Sequence, residues 1–240
     1  GEVRALEKTA QAFAIKAEHP GVADALLVRA RGTGRWDLVA PGLLPALAIR
    51  DDISPKVARD LLVMGANWAA GGGTTPTAAP QDSRGLVEGL LAAALRIAPR
   101  DETVLDRLAA ARRATPGMPL VDVLLTLSEV RGGELATLRE AASVALRDVG
   151  DASVALPIGD QLLASASERL RGGDDDAADH ALWALEVVNE IRESRGDTEQ
   201  VKQNLLAAAD LPLEPSVTWE LLSRAADLAE PAEAAAMLER

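Results

Sequence analysis

Cysteine is absent from the chain, and aromatic side chains are scarce, with no Tyr, one Phe and four Trp among 240 residues. The lack of cysteine excludes disulfides, thiolate zinc sites and cysteine nucleophiles. Because aromatic residues make up only 2 % of the chain, a hydrophobic core must be built from Leu, Val and Ala. Small side chains let helices approach closely, so this composition favours packing of helix on helix over a sheet core.

Long apolar runs are also missing, and basic residues are outnumbered. No stretch approaches the roughly 20 apolar residues that cross a bilayer, so we expect no membrane insertion. The formal net charge is −12, which repels phosphate backbones and disfavours nucleic acid as a partner. The excess of Arg over Lys, together with abundant Ala and Gly, is typical of a GC-rich bacterial genome. We expect a cytoplasmic location, although zero cysteine leaves the redox compartment open.

Helical periodicity runs through nearly the whole sequence, and no convincing strand pattern interrupts it. The first helix is predicted from about Glu2 to Ala17. Ser54-Pro55 is the clearest helix start, because Ser caps an orphan amide and Pro suits the first helical position. Later helices are predicted to start near Ser83, Asp101, Met118, Gly133, Ala152, Asp176, Asp197, Ser216 and Pro231.

Prolines and glycines indicate where the helices are interrupted. Pro41 and Pro45 predict a broken or kinked helix, because a helical Pro removes an amide donor and clashes with the preceding turn. Pro157 predicts another kink or a late helix start. Residues 71–82, rich in Gly, Thr and Pro, are predicted to form a flexible loop inside one continuous run of helices.

The clearest structural unit is a helix over residues 23–30, a Gly-Thr-Gly turn, and a second apolar run. Leu26 and Val28 lie on the first helix, Gly34 and Trp36 mark the turn, and Val39, Leu43 and Ala46 follow at helical spacing. Across the chain a predicted helix pair occupies about 38 residues, which falls within the period of α-solenoid repeats.

This unit resembles a tetratricopeptide repeat, whose pattern combines a Gly-x-aromatic turn with small and large residues at fixed spacing on two helices. Further partial matches are Leu105, Leu108 and Ala109, then Leu162, Ala166, Ala178 and Leu182 around Gly173, and Trp219 with Leu222. The resemblance implies an all-α fold, a right-handed α-α solenoid of about six stacked helical hairpins. A HEAT-like solenoid is the alternative, because the average helix pair is slightly long.

We expect residues 1–240 to form a single solenoid segment of a longer protein, because the sequence starts at Gly1 rather than Met and ends soon after a helix start at Pro231. Its function would be that of a non-enzymatic scaffold that binds a peptide or a partner protein. Such a segment could also form a homodimer through its exposed ends. A sensor segment of a larger regulator is a further alternative.

One acidic cluster offers an enzymatic alternative. Asp175, Asp176 and Asp179 form the aspartate pattern that binds magnesium in helical terpene synthases, and His180 adjoins them. We favour a structural role, because these acids follow two glycines and are expected to cap a helix. Such an enzyme also needs an aromatic-lined cavity, which this composition does not supply. We therefore assign no catalytic, cofactor-binding or metal-binding residues.

The remaining candidates for a binding surface are arginines and tryptophans. Four arginines on predicted helices could clamp carboxylates in a groove, although pairing with neighbouring acids is the favoured interpretation: Arg107, Arg112, Arg113 and Arg139. Four tryptophans are predicted to be core wedges between repeats: Trp36, Trp68, Trp183 and Trp219. The residues that bind a partner are not assigned from the sequence.

Overall fold

A computed structural model describes residues 1–15, 21–33, 35, 38–39, 55–70 and 83–238 of the chain. Within these ranges the fold is all-α and contains no strand. The chain divides into two compact units, Gly1–Ala114 and Thr115–Arg240. Each unit is built from consecutive helices that pack on one another, which is the organisation of an α-solenoid and confirms the predicted fold class.

The first unit contains five described helices. They are α1 (Glu2–Ile15), α2 (Val22–Thr33), α3 (Pro55–Ala69), α4 (Ser83–Ile97) and α5 (Glu102–Arg112). Each packs against the next in chain order. Its core is aliphatic, as the composition predicts, and Phe13 is its buried aromatic side chain among the described residues.

The second unit contains seven described helices and one π-helical turn. The helices are α6 (Met118–Val130), α7 (Leu135–Val144), α8 (Ala152–Arg171), α9 (Ala177–Ser194), α10 (Thr198–Ala209), α11 (Pro215–Asp227) and α12 (Pro231–Leu238), and the π-helical turn spans Ala145–Val149. Here too each helix contacts its neighbour in the chain, and α7 also contacts α9. Contact between alternate helices is what stacked hairpins produce.

The predicted capping chemistry is seen at some helix starts and not at others, because Asp101 caps α5 whereas the Asp197 side chain makes no capping hydrogen bond at α10. Asp101 caps α5 by accepting a hydrogen bond from the Val104 amide at 3.1 Å. The start predicted near Gly133 lies two residues later, at Leu135, because Gly132 and Gly133 adopt φ of +70° and +78°. Those left-handed conformations suit glycine and end the connection before the helix begins.

Pro157 lies inside α8 and does not delay its start. The helix begins at Ala152, where Asp151 accepts a hydrogen bond from the Ser153 amide at 2.8 Å. The late start predicted at Pro157 is therefore wrong. Both Pro157 and Ser153 are exposed, so water can serve the Ser153 carbonyl that the proline leaves without a helical donor.

Several predictions concern residues outside the described ranges. They are the turn at Gly34 and Trp36, the interruptions at Pro41 and Pro45, the cap at Ser54, and the loop at residues 71–82. The predicted organisation as one segment with that loop stays a prediction. Of the clearest repeat unit, the first helix is described within α2, where Leu26 is buried but Val28 is 66 % exposed, and the Val39 side chain is buried.

Candidate partner-binding groove in the second unit

An open groove lies where three helix ends of the second unit meet. It has a volume of about 480 Å³ and is bounded by the end of α8, the first two turns of α9 and the connection into α11. The lining residues are Leu170, Asp175, Ala178, Leu182, Pro212, Leu213, Glu214, Pro215 and Val217. We call this cavity the Leu182 groove.

Two turns in the chain shape the walls of the Leu182 groove. After α8, Gly173 adopts φ of +89°, and the Asp174 amide donates back to the Arg169 carbonyl at 3.0 Å. This is the hydrogen-bond pattern that ends a helix on a left-handed glycine. On the other wall, buried Leu211 anchors the connection, and Pro215 opens α11 with the fixed φ that a first helical position needs.

The floor of the groove is aliphatic and its rim is acidic. Leu182 and Val217 are half-buried, so each offers apolar surface that a bound chain could cover. Asp175 and Glu214 are exposed at the rim. Neither carboxylate has a hydrogen bond or ion pair with any residue that the structure describes.

The aspartate cluster beside the groove does not assemble as a metal site. Asp179 lies in the first turn of α9, where its carboxylate pairs with Arg139 of α7. Asp176 is the N-cap residue, but its side chain makes no capping hydrogen bond, so only its predicted position is correct. Over the described ranges, no group of three or more acidic or histidine side chains could hold a metal ion. His180 is half-buried, and its Nδ1 atom has no hydrogen-bond partner in the described part of the chain.

The candidate arginines do not converge on one described site. Arg139 is engaged twice, by Asp179 and by the ring of Trp183, whose centroid lies 5.0 Å from its guanidinium carbon. The pair with Asp179 agrees with the sequence-based prediction that these arginines pair with neighbouring acids. Arg107 and Arg112 are half-buried on α5 of the first unit, and Arg113 follows them at its C-terminus. Burial lowers the pKa of Arg107 from its ordinary value.

The two described tryptophan side chains differ from the predicted core wedges. Trp219 is 56 % exposed, so its assignment to the core is wrong. The buried face of α11 is formed by Leu221, Leu222, Ala225 and Ala226, which leaves Trp219 at the edge of that face. Trp183 is half-buried beneath Arg139. Trp36 and the Trp68 side chain lie outside the described parts.

Ion pairs join alternate helices throughout the second unit. Besides the Arg139–Asp179 pair, Glu186 of α9 pairs with Arg224 of α11, and Lys202 of α10 pairs with Glu233 of α12 at 3.2 Å. Within the hairpin of α8 and α9, Arg192 donates to both carboxylate oxygens of Asp160 at 3.0 Å. We call the three pairs between alternate helices the ladder pairs. The sequence analysis favoured an acidic partner for Arg139 without identifying it, and a periodic hydrophobic pattern gives no indication of the other pairs, which were missed.

Charge is divided very unequally between the two units. Residues 115–240 carry 24 acidic and 10 basic side chains, a net charge of −14, whereas residues 1–114 carry 13 acidic and 15 basic ones. The acidity of the chain therefore belongs to the unit that contains the Leu182 groove. No helix in the described ranges is long and apolar enough to cross a membrane.

Comparison with known proteins adds little to this description. No protein-family model matches the chain, and no curated protein matches it. One similar solved structure is described as a circular tandem repeat protein with novel repeat topology and enhanced subunit contact surfaces. The match is 15 % identical, covers 99 % of this chain and 56 % of that protein, and has a TM-score of 0.24. At that TM-score, the similarity supports no statement about shape or function.

Proposed function

We propose that this chain is a non-enzymatic helical-repeat scaffold, of the tetratricopeptide-like kind, that binds a protein partner through its second unit. The observation that carries the proposal is the Leu182 groove, whose aliphatic floor is open beside two carboxylates without internal partners. Polar and charged groups with no local partner at the edge of an apolar concavity are typical of binding sites.

The packing of the second unit supports this role. The ladder pairs and the Arg192–Asp160 pair join helices to one another away from the groove lining. They allow the groove walls to be held by contacts that a bound chain need not disturb. Pre-organised walls reduce the entropy that association costs, which favours a binding role. The matches to the repeat pattern at Leu105, Leu108 and Ala109 are buried, as that repeat requires.

The metal-dependent alternative has no comparable support. Its three aspartates have different surroundings in this structure. Asp179 pairs with Arg139, Asp176 lies at a helix terminus, and Asp175 lines the groove. No specific observation favours a sensor segment over a scaffold.

Site-specific photo-crosslinking tests the proposal. A photoreactive amino acid would replace Val217 in the groove or, as a matched control, Asp227 further along the same helix, in the full-length protein expressed in its own cells. We expect a discrete protein adduct from position 217 that is absent from position 227. Mass spectrometry would identify the adduct, and the absence of any adduct at position 217 would contradict a partner-binding groove.

A further inference from the structure

The charge and lining of the Leu182 groove constrain what can occupy it. We infer that the occupant is a basic, partly apolar peptide segment of a partner protein, with Lys or Arg side chains reaching the rim and an aliphatic side chain resting on the floor. This inference rests on the proposed scaffold function and adds the chemistry of the partner. Three observations carry it.

The first observation is the state of the two rim carboxylates. Other acids in the same unit have cationic partners within the chain, as Asp160 does with Arg192 and Glu186 with Arg224. Asp175 and Glu214 have none among the described residues, and both line the cavity. A Lys or Arg side chain of a bound peptide could form ion pairs with these carboxylates, as Arg192 does with Asp160.

The second observation is the setting of these carboxylates. No basic side chain is among the described residues that line the groove, and the unit around it carries a net charge of −14. The field of such a unit repels anionic segments and attracts cationic ones before contact is made. An acidic or phosphorylated peptide would meet a repulsive surface with no donor from an Arg or Lys side chain.

The third observation is the apolar floor. Leu170 is buried, whereas Ala178, Leu182 and Val217 are half-buried and line the same cavity. A volume of about 480 Å³ exceeds that of a single side chain, so the groove accommodates a short segment. An aliphatic side chain on this floor removes apolar surface from water, which a purely cationic peptide would not do.

Fluorescence anisotropy with synthetic peptides tests this inference on the full chain. The probe is a short labelled peptide with Leu residues flanked by Lys and Arg. One comparison peptide replaces every Lys and Arg with Glu, and a second replaces every Leu with Ser. We expect the first comparison peptide not to bind and the second to bind more weakly than the probe, with the probe's affinity falling as salt is added.

Charge reversal at the rim locates the binding site. We expect the double variant Asp175→Lys with Glu214→Lys to weaken probe binding about tenfold. The matched control is Glu190→Lys with Asp227→Lys, which changes net charge equally on exposed positions of α9 and α11. Glu190 lies eight residues beyond Leu182, about 12 Å along the helix, so the control should change affinity less than about threefold.

Because Asp175 and Glu214 precede helices, their reversal could also weaken helix ends. The milder variant Asp175→Asn with Glu214→Gln keeps the shape of both side chains and should weaken binding about threefold. Circular dichroism of each variant would show that the helices remain. Val217→Ser should weaken binding without changing its dependence on salt, because it alters the floor and not the rim.

Three results would overturn the inference. They are equal binding of the Glu-containing peptide, unchanged affinity in both rim variants, and self-association of the wild type that the rim variants abolish. The last result would make a second copy of the chain the occupant. The test is separate from that of the scaffold itself. If the crosslinked segment of the partner proved to be acidic, the scaffold function would still be supported, but the inference of a basic occupant would be wrong.

Discussion

At the scale of single residues, Gly159 of α8 lies close against Val188 of α9. A Cβ atom at Gly159 would lie 2.9 Å from the Val188 Cγ2 atom, and both residues are buried. This distance is shorter than real Cβ contacts, so any side chain forces α8 and α9 apart or displaces Val188.

We therefore expect Gly159→Ala to lower the free energy of unfolding by about 1 kcal/mol. Overpacking costs about 1–3 kcal/mol, and the better helix propensity of Ala returns up to about 1 kcal/mol. Urea denaturation would measure the change. The control is Gly89→Ala in α4, where a Cβ atom would meet nothing within 4 Å. This substitution should raise the free energy of unfolding by about 0.5–1 kcal/mol. A gain of stability in Gly159→Ala would contradict the close approach.

A second residue-scale prediction concerns Glu134, which begins α7. Hydrogen bonds from Thr137 and Arg131 lower the pKa of this carboxyl below its ordinary value of 4.5. A lowered folded-state pKa means that ionised Glu134 stabilises the protein above about pH 4.5, and that this stability is lost as the pH falls through the folded-state pKa. The side chain is 41 % exposed, so solvent screening limits the contribution to about 0.5 kcal/mol.

Glu134→Gln should thus be less stable than the wild type by about 0.5 kcal/mol at neutral pH, and the two should converge in acid. Thermal unfolding followed between pH 3 and 8 would measure the difference. Glu168→Gln, at an exposed carboxylate with no hydrogen bond to the described residues, serves as the control. A difference between Glu134→Gln and wild type that did not shrink in acid would refute the assigned role of the ionised carboxylate.

At the scale of helices, the contact between α7 and α9 depends on Arg139. Its guanidinium pairs with Asp179 and lies over the ring of Trp183. Because the Arg139 side chain is 31 % exposed and Asp179 is 80 % exposed, the ion pair alone is weak, and stacking on Trp183 supplies much of the interaction.

We expect Arg139→Gln to cost about 1–2 kcal/mol and Asp179→Asn only about 0.5 kcal/mol. A double-mutant cycle would measure the coupling between these two positions, which should fall with added salt. Arg147→Gln is the control, because this exposed arginine has no hydrogen bond or ion pair with the described residues. Equal losses in both single variants would contradict the role of Trp183.

The helices were also the level at which the sequence was most informative. Capping residues such as Asp101 and prolines such as Pro55 act through neighbouring amides, so their effect can be read locally. The start near Ala152 was predicted correctly, but the late start offered for Pro157 was wrong, because the outcome depends on whether the Ser153 carbonyl left without a donor faces water, which only packing decides. Trp219 was misjudged because an apolar spacing defines a face of a helix but not how far the neighbouring helix covers it.

The candidate site was less accessible to prediction than the fold. The Leu182 groove combines the end of α8 and the start of α9 with the connection into α11, and Leu182 and Pro212 lie 30 residues apart in the chain. In the sequence, Asp175 belongs to a possible metal-binding pattern. Its position in the groove depends on helix packing, which hydrophobic periodicity does not predict. The aspartate spacing was informative only about a helix start, because Asp179 turns toward Arg139.

At the scale of the whole molecule, the two units should differ in their response to salt. Residues 115–240 carry a net charge of −14, so mutual repulsion opposes their compact state. We expect the isolated fragment 115–240 to fold and its melting temperature to rise by a few degrees when NaCl is raised from about 20 to 500 mM, because salt screens that repulsion. Fragment 1–114 should show little change.

Calorimetry or circular dichroism would measure both melting temperatures. Sucrose stabilises compact states without screening charge, so as a comparison it should raise the melting temperatures of both fragments alike. A melting temperature of fragment 115–240 that fell with salt would mean that the ion pairs between its helices outweigh the repulsion.

The ladder pairs also restrict how this chain could be lengthened or shortened in evolution. In two of the three ladder pairs α9 supplies the acid, Asp179 toward α7 and Glu186 toward α11, and the alternate helix on each side supplies an arginine. Deleting the hairpin of α8 and α9 would remove both of these acids and leave α7 and α11 as the new alternate pair, each bearing an arginine. Hairpins of this unit are thus not interchangeable modules, and a viable deletion would need a compensating change of charge at Arg139 or Arg224.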